Sequence, residues 1–200
     1  MFKSNKIKEI LNEKFPHVTI KSNDQYIEIN IDKDFIISTL KDLKENSNFQ
    51  FDQLIDLTAI DYPSREKRFD IVYILLSMTK NNRIIVKTSL SLDDNIESIT
   101  SIHRSANWYE RECYDLFGIK FMNHPDLRRI MTDYNFEGHP LRKDFPLTGH
   151  TEVRYDELEK KVVYEPVKLT QEYRNFDYMS PWEGFDNKLM GDEKSDEEKK

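Results

Sequence analysis

The chain has 200 residues, 38% of them hydrophobic and 34% charged, with a formal net charge of −7 and a single cysteine, Cys113. That length supports one domain with a real core, or one domain plus an extension, and argues against two full domains. The acidic balance speaks against nucleic acid as a partner, since phosphate binding relies on a basic surface. One cysteine excludes an intrachain disulfide and falls short of the about four thiolates an iron-sulfur cluster uses, or the comparable Cys/His set of a structural zinc.

The first stretch, residues 1–106, reads as a compact α+β domain of mixed helix and sheet. Ile7, Ile10, Leu11 and Phe15 share one helical face, and Pro16 stops the pattern. The lysines and glutamates between them break the continuous apolar core a secretory signal needs, and no arginine precedes Arg65, as an organellar transit peptide would require. Residence in a reducing compartment is the expectation. Ile27, Ile29 and Ile31 alternate with Glu28 and Asn30, as in a half-exposed strand. Asp32 or Asp34 is placed to cap a helix carrying Phe35, Ile36, Leu40 and Leu43. A further strand is expected over Leu54 to Ile60. Ile71 to Met78, the longest apolar stretch, is strand-sized rather than the ~20 residues of a membrane span, and its near-continuous apolarity suits a strand covered on both faces. Asn81-Asn82 then offers the positive φ of a tight hairpin turn before Arg83 to Leu90. A short helix carrying Ile96, Ile99 and Ile102 would complete this core.

Residues 107–185 behave differently. Pro125, Pro140, Pro146, Pro166 and Pro181 recur with Gly118, Gly138, Gly149 and Gly184, which prevents long helices and central strands. Two regular pieces stand out: a helix over Trp108 to Phe117, and a hairpin pairing EVRY with KVVYEP across Asp156 to Lys161. Tyr155, Tyr164, Tyr173, Phe176, Tyr178, Trp182 and Phe185 are too many large apolar groups for a solvated linker. They predict a long extended carboxyl-terminal arm that buries its aromatics on another protein. Residues 186–200 form a charged tail of disordered composition.

In the helix, Asn107 is the expected cap, with Glu110 returning a bond to it and Gly118 ending the last turn. Trp108, Glu112 and Leu116 stack along one stripe, which places Glu112 on the apolar side with an arginine for partner. Arg111 and Asp115, four apart, are placed to pair on the outer face. Glu110 and Glu112 point about 200° apart, which argues against an acid/base pair on one substrate and for a cap and an interface role. His124, His139 and His150, with Asp126 or Cys113, invite a metal reading, but separations of 15 and 11 residues fit no compact ligand pattern. Arg128, Arg129, Arg142 and Lys143 could form a phosphate site. Interspersion with Asp126, Asp133, Glu137 and Asp144 favours salt bridges to a partner protein instead. Neither a G-x-G-x-x-G nor a G-x-x-x-x-G-K-[ST] occurs, nor a G-x-S-x-G elbow.

ERECYDLFGIKFMNHPDLRRIM, Glu110 to Met131, resembles the signature of the 30 kDa subunit family of complex I, the C-type subunits: Glu110, Arg111 and Glu112, an acid at Asp115, His124, a basic Arg128, then Ile130 and Met131. GHPLRKDFPLTG, with Arg142, Lys143 and Asp144, resembles a second characteristic stretch. VVYEPVKLTQEYRNFDYMSPWEG, with Tyr164 and Trp182, is similar to the arm of the alphaproteobacterial and mitochondrial branch, and DLTAIDYP is also family-like. The resemblance implies an accessory subunit of the peripheral arm of a proton-pumping NADH-quinone oxidoreductase that binds no cofactor itself. FMN, iron-sulfur clusters and quinone belong to the assembled complex. The D-type subunit is the implied main partner, with the B-type subunit close by at the quinone-reduction site. The cytoplasmic face of a bacterial inner membrane is the implied location, with the mitochondrial matrix side as the alternative. The competing family-level reading is the equivalent subunit of a related membrane-bound hydrogenase or other quinone-reducing complex. An independent hydrolase using Glu112 or His124 is the reading from a different class.

Overall fold

The computed structural model describes residues 10–11, 14–15, 18–22 and 26–169. They fall into two compact units, Met1–Gly149 and His150–Lys200. The arm aromatics Tyr173, Phe176, Tyr178, Trp182 and Phe185, and the charged tail, lie outside the described residues.

The first unit is built on a five-stranded sheet of β1 (Thr19–Ser22), β2 (Ile27–Asn30), β3 (Gln53–Asp61), β4 (Phe69–Ser77) and β5 (Asn82–Leu90), in the order β1-β2-β5-β4-β3. Only the β2–β5 pair is parallel; β1–β2, β5–β4 and β4–β3 are antiparallel. The period-2 pattern decides which face is buried. In-register rows bring Leu57, Tyr73 and Val86 side by side, and likewise Leu75 and Ile84 with Ile27, all on the core face. The turn from β4 to β5 places Asn81 at φ 52°, a conformation that asparagine tolerates better than most residues.

Helix α1 (Ile36–Glu45) supplies Ile36, Leu40 and Leu43 to the core, as the 3.6-residue spacing predicts. Its start differs. A 3-10 turn over Lys33–Phe35 precedes it, and neither Asp32 nor Phe35 at the two N-cap positions makes a side-chain cap bond. Asp32 instead faces Lys67 at 3.6 Å. The expected helix at Ile96 to Ile102 is replaced by the short strand β6 (Asn95–Glu97), parallel to β7 (Lys120–Met122), followed by turns. Ile96 and Ile99 are buried as expected, but they reach the core from a strand end and a turn. Nor is β4 covered equally on both faces. Val72 is buried on the second face while Ile74 and Leu76 are only half-buried, and Lys87, in register with Val72, pairs with Glu28 there at 3.0 Å.

Helix α2 (Ala106–Phe117) and β7 close the core of the same unit with Ala106, Cys113, Phe117, Ile119 and Phe121. The second unit holds one described element pair, the antiparallel hairpin β8 (Thr151–Asp156) and β9 (Lys161–Pro166), at the position the sequence pattern indicates. Among the described residues no helix is long and apolar enough to cross a membrane.

Leu75 is fully buried and Met78, three residues on, is 59% exposed. Leu75→Ala is expected to cost about 2–5 kcal/mol and Met78→Ala close to nothing in urea unfolding of the full chain.

Candidate functional site: a carboxylate-pinned helix and a one-sided hairpin

Helix α2 packs along β3, the edge strand of the sheet, and its side chains take up that edge's backbone acceptors. The Tyr109 hydroxyl donates to the carbonyl of Ile55 at 3.0 Å, beside the register shift between Leu54 and Asp56, and the Cys113 thiol donates to that of Leu57 at 3.7 Å. A covered edge cannot recruit a foreign strand. Burial pushes the Cys113 thiol well up, so it is a packing residue and not a nucleophile.

Two carboxylates fix the helix from opposite ends of its sequence. Glu110 is fully buried, with Oε2 accepting from the Ser98 hydroxyl at 2.6 Å and Oε1 from the Ile99 N–H at 2.7 Å. The His124 ring, also fully buried, lies 3.8 Å away. His124 Nδ1 accepts from the Asp126 N–H at 3.1 Å, so its Nε2 carries the proton and donates to the Asn107 carbonyl at 3.1 Å. Burial raises the Glu110 carboxyl to about 7, against the opposing pull of the Ser98 and Ile99 bonds.

Asp115 is the second anchor and is likewise buried. Its Oδ2 accepts from three successive backbone N–H groups, Ile130, Met131 and Thr132, at 2.9, 2.7 and 2.9 Å. Its Oδ1 accepts from the Thr132 hydroxyl at 2.5 Å and from Arg129 at 3.2 Å. Burial opposes ionisation here too, but the Thr132, Ile130 and Met131 donors outweigh it and hold the carboxyl below its ordinary value.

The end of α2 is closed by a distant segment. Gly118 turns left-handed at φ 78°, and a side chain there would strike the Arg142 guanidinium and the His139 ring. Beneath that glycine, His139 Nδ1–H donates to the Asp115 carbonyl, the Leu141 N–H to that of Leu116 and the Arg142 guanidinium to that of Phe117. The same segment is tied to the sheet through buried Asp61, which accepts from Arg68 Nε–H and Nη2–H at 2.6 and 2.7 Å and from the Lys143 N–H at 2.7 Å. Arg68 in turn bonds Asp144 at 2.9 Å. The Arg68 guanidinium holds the Asp61 carboxyl down.

Several expected placements are corrected. Glu112 is exposed and Glu110 buried, so of the stripe Trp108, Glu112 and Leu116 the first two face outward while Leu116 is half-buried against the core; the buried stripe is Ala106, Glu110, Cys113 and Phe117. Ser105 occupies the N-cap position, not Asn107, and Glu110 bonds across the fold instead of back to a cap. Arg111 does not pair with Asp115 but donates to the carbonyls of Arg128 and Arg129 at 3.0 and 3.2 Å. Arg128 pairs with Asp126 at 2.7 Å on the surface. No group of three or more His, Cys, Asp or Glu residues able to hold a metal occurs among the described residues. Sequence reasoning passed over Ser98, Asp61 and Arg68; only the DLTAIDYP stretch hinted at Asp61.

In the hairpin, cross-strand pairs Val153–Tyr164 and Tyr155–Val162 share one face with Thr151 and Pro166. Those four apolar side chains are 55–59% exposed. The opposite face carries Glu152, Arg154, Asp156, Lys161 and Glu165 around a half-buried Val163, with Arg154 bridging Glu165 at 2.9 Å and Asp156 at 3.3 Å.

The first unit, with its carboxylate-anchored helix, matches a known family across most of its length. Residues 29–151 match the family described as Respiratory-chain NADH dehydrogenase, 30 Kd subunit. The chain belongs to this family. It is 63% identical over 154 residues, 77% of each chain, to the C-type subunit of the NADH-quinone oxidoreductase of Ruegeria pomeroyi. It is 52% identical over 196 residues, 94% of this chain and 98% of the relative, to the subunit of the same name from Cereibacter sphaeroides. Family membership makes it a subunit of an NADH-quinone oxidoreductase, an oxidoreductase complex. Among solved structures, a chain of the membrane-bound sulfane sulfur reductase, an archaeal respiratory membrane complex, superposes with a TM-score of 0.64 at 28% identity, over 72% of this chain and 86% of that one.

The two anchors titrate with opposite sign. The Asp115 carboxyl is lowered, so its contribution is present above about pH 4, its ordinary range, and is lost as pH falls through the folded-state value. Asp115→Asn is expected to cost about 2–4 kcal/mol at pH 7, with a gap to the parent chain that closes in acid. The Glu110 carboxyl is raised from 4.5 to about 7, so stability from this group is complete below about pH 4.5 and declines as pH rises to about 7. Glu110→Gln is expected to gain on the parent by about 3 kcal/mol across that window, with the difference constant above it. Denaturant unfolding of the three chains from pH 3.5 to 8.5 checks both.

Proposed function

We propose that the chain is a peripheral-arm subunit that binds no flavin, cluster or quinone itself and serves assembly and stability of the complex moving electrons from NADH through FMN and iron-sulfur centres to quinone. Its main partner is a D-type subunit, beside a B-type subunit at the quinone-reduction site, on the cytoplasmic face of a bacterial inner membrane. Trp108, Arg111, Glu112, Arg128 and Lys143 are the outward-facing candidates for contact. Glu110, Asp115, His124, Arg142 and Asp144 shape the scaffold that presents them.

The observation carrying this reading is the one-sided hairpin. A two-stranded ribbon is marginal in water on its own, and Val153, Tyr155, Val162 and Tyr164 leave one whole face apolar and exposed. Tyrosine is a frequent interface anchor, and a ribbon with a charged back and an apolar front suits a neighbour that covers the front alone. Identity to a C-type subunit across 94% of the chain, hairpin included, supports the same assignment.

A second reading, the equivalent subunit of a related membrane complex with another electron input, draws on the resemblance to the sulfane sulfur reductase chain. The higher identity to the NADH-quinone oxidoreductase subunits favours the first. Affinity purification from the native membrane separates them: an NADH-oxidising flavoprotein in the isolate supports the first reading, and its absence beside a sulfur- or hydrogen-linked catalytic subunit overturns it.

Tyr155→Ser combined with Val162→Ser removes two anchors from the apolar face. At ~2 kcal/mol for each true anchor, the pair is expected to lower incorporation into the membrane complex by about a hundredfold or more in affinity terms, with unfolding of the first unit unchanged. Full incorporation of the double variant, measured by native gel and NADH-quinone activity of the membranes, would reject the hairpin as a docking element.

A further inference from the structure

Between the carboxyl end of α1, the start of β3 and the turn leading into α2 lies a cavity of about 410 Å³. Lys44, Asp52, Ser101, His103, Arg104 and Ser105 are among its lining residues. Three features distinguish it from an ordinary surface hollow. Ser105, at the N-cap of the twelve-residue α2, makes no side-chain cap bond, and the first-turn N–H groups of Ala106, Asn107 and Trp108 close on the carbonyls of His103, Arg104 and Ser105 at 3.1, 3.3 and 3.4 Å. The amino end of the helix borders this cavity through Ser105, whose hydroxyl is not used as a cap. His103 is 4% exposed, and its Nε2 has no hydrogen-bond partner among the described residues, a condition that proteins rarely leave unexplained. The charges acting on its ring, Lys44 and Asp52, line the same cavity. The Lys44 ammonium donates to the Ile102 carbonyl and keeps two further donors.

We propose that this cavity binds a small oxyanion, a carboxylate or phosphate group, held by Arg104 and Lys44, with the Ser101 and Ser105 hydroxyls and the His103 ring as neutral donors over the start of α2. Lys44 and Arg104 outnumber Asp52, the one carboxylate in the lining, and the helix end adds to the positive side of the balance. A divalent cation would need several oxygen ligands and would meet two fixed positive charges. Burial, then Lys44, press the His103 ring down to about 4 while Asp52 opposes them, so at neutral pH the ring is uncharged and has one N–H to give. The proposal concerns the first unit alone and stands independently of the docking reading.

The test uses the full chain with 15N-labelled histidine, which leaves five imidazoles to assign by NMR, the His103 ring by its loss in His103→Gln. Inorganic phosphate and acetate are titrated separately at constant ionic strength, with chloride as the reference. A saturable shift of the His103 ring signals, absent with chloride, is the expected result. Phosphate alone saturating assigns a phosphate group; acetate saturating as well assigns oxyanions generally, including a partner's carboxylate. Arg104 is exposed, so Arg104→Ala should fold normally and weaken the binding by about tenfold or more, the loss of one charge-assisted contact. Ser105→Ala should weaken it less. Shifts that fail to saturate, that chloride reproduces, or that persist unchanged in Arg104→Ala would overturn the site.

Discussion

The arrangement of the first unit depends on one buried carboxylate. Asp115 gathers three consecutive backbone N–H groups, a hydroxyl and an arginine, all from residues 129–132, onto the last turns of α2. The segment after β7 has almost no regular structure to satisfy its own backbone, so these bonds replace the missing ladder. Without the carboxylate, Ile130 to Thr132 would hold several donors against a core that cannot pair them. The single side chain thus converts an irregular loop into a surface of defined shape.

A second loop depends on that one. Residues 139–142 cap the carbonyls of Asp115, Leu116 and Phe117, and Gly138 accepts from the same Arg129 that reaches Asp115. Asp61 and Arg68 then fasten the next residues to the sheet through Lys143 and Asp144. From sheet edge to helix end the chain is linked by charge-assisted bonds to backbone, which give directional constraint where apolar packing alone would allow sliding. The stretch from Glu110 to Met131 is therefore mostly scaffold. Glu110, Asp115 and His124 act inward, and the side chains they display outward, Trp108 and Arg111 above all, stack on one another with the guanidinium 5.2 Å from the indole centre.

The hairpin follows a different logic. Its strands are stabilised by cross-strand pairs and by Arg154 on the charged back, whereas its apolar front stays more than half exposed to water. The first unit buries Ile71, Tyr73 and Leu75 completely, whereas the second leaves this face of the hairpin more than half exposed.

Much of this was legible in the residues themselves. Strict alternation along Ile27 to Ile31, the asparagines at the β4–β5 turn, and the EVRY/KVVYEP pairing determine strands and hairpins because a pleated ladder has a period of two whatever surrounds it. The existence of α2 and its carboxyl end follow equally from helical spacing and Gly118, whereas its amino end lies two residues before the expected start. Which face of α2 turns inward was not so determined. Glu110 and Glu112 each lie among apolar neighbours on the helical wheel, and the wheel cannot rank two carboxylates without knowing where their donors are. Tertiary structure decided it by bringing Ser98 and Ile99 to Glu110 from the turn after β6, and residues 129–132 to Asp115 from beyond β7. Those donors are distant in sequence and belong to irregular segments without periodicity. A buried charge goes where hydrogen bonds already wait for it, and only the folded chain sets that place.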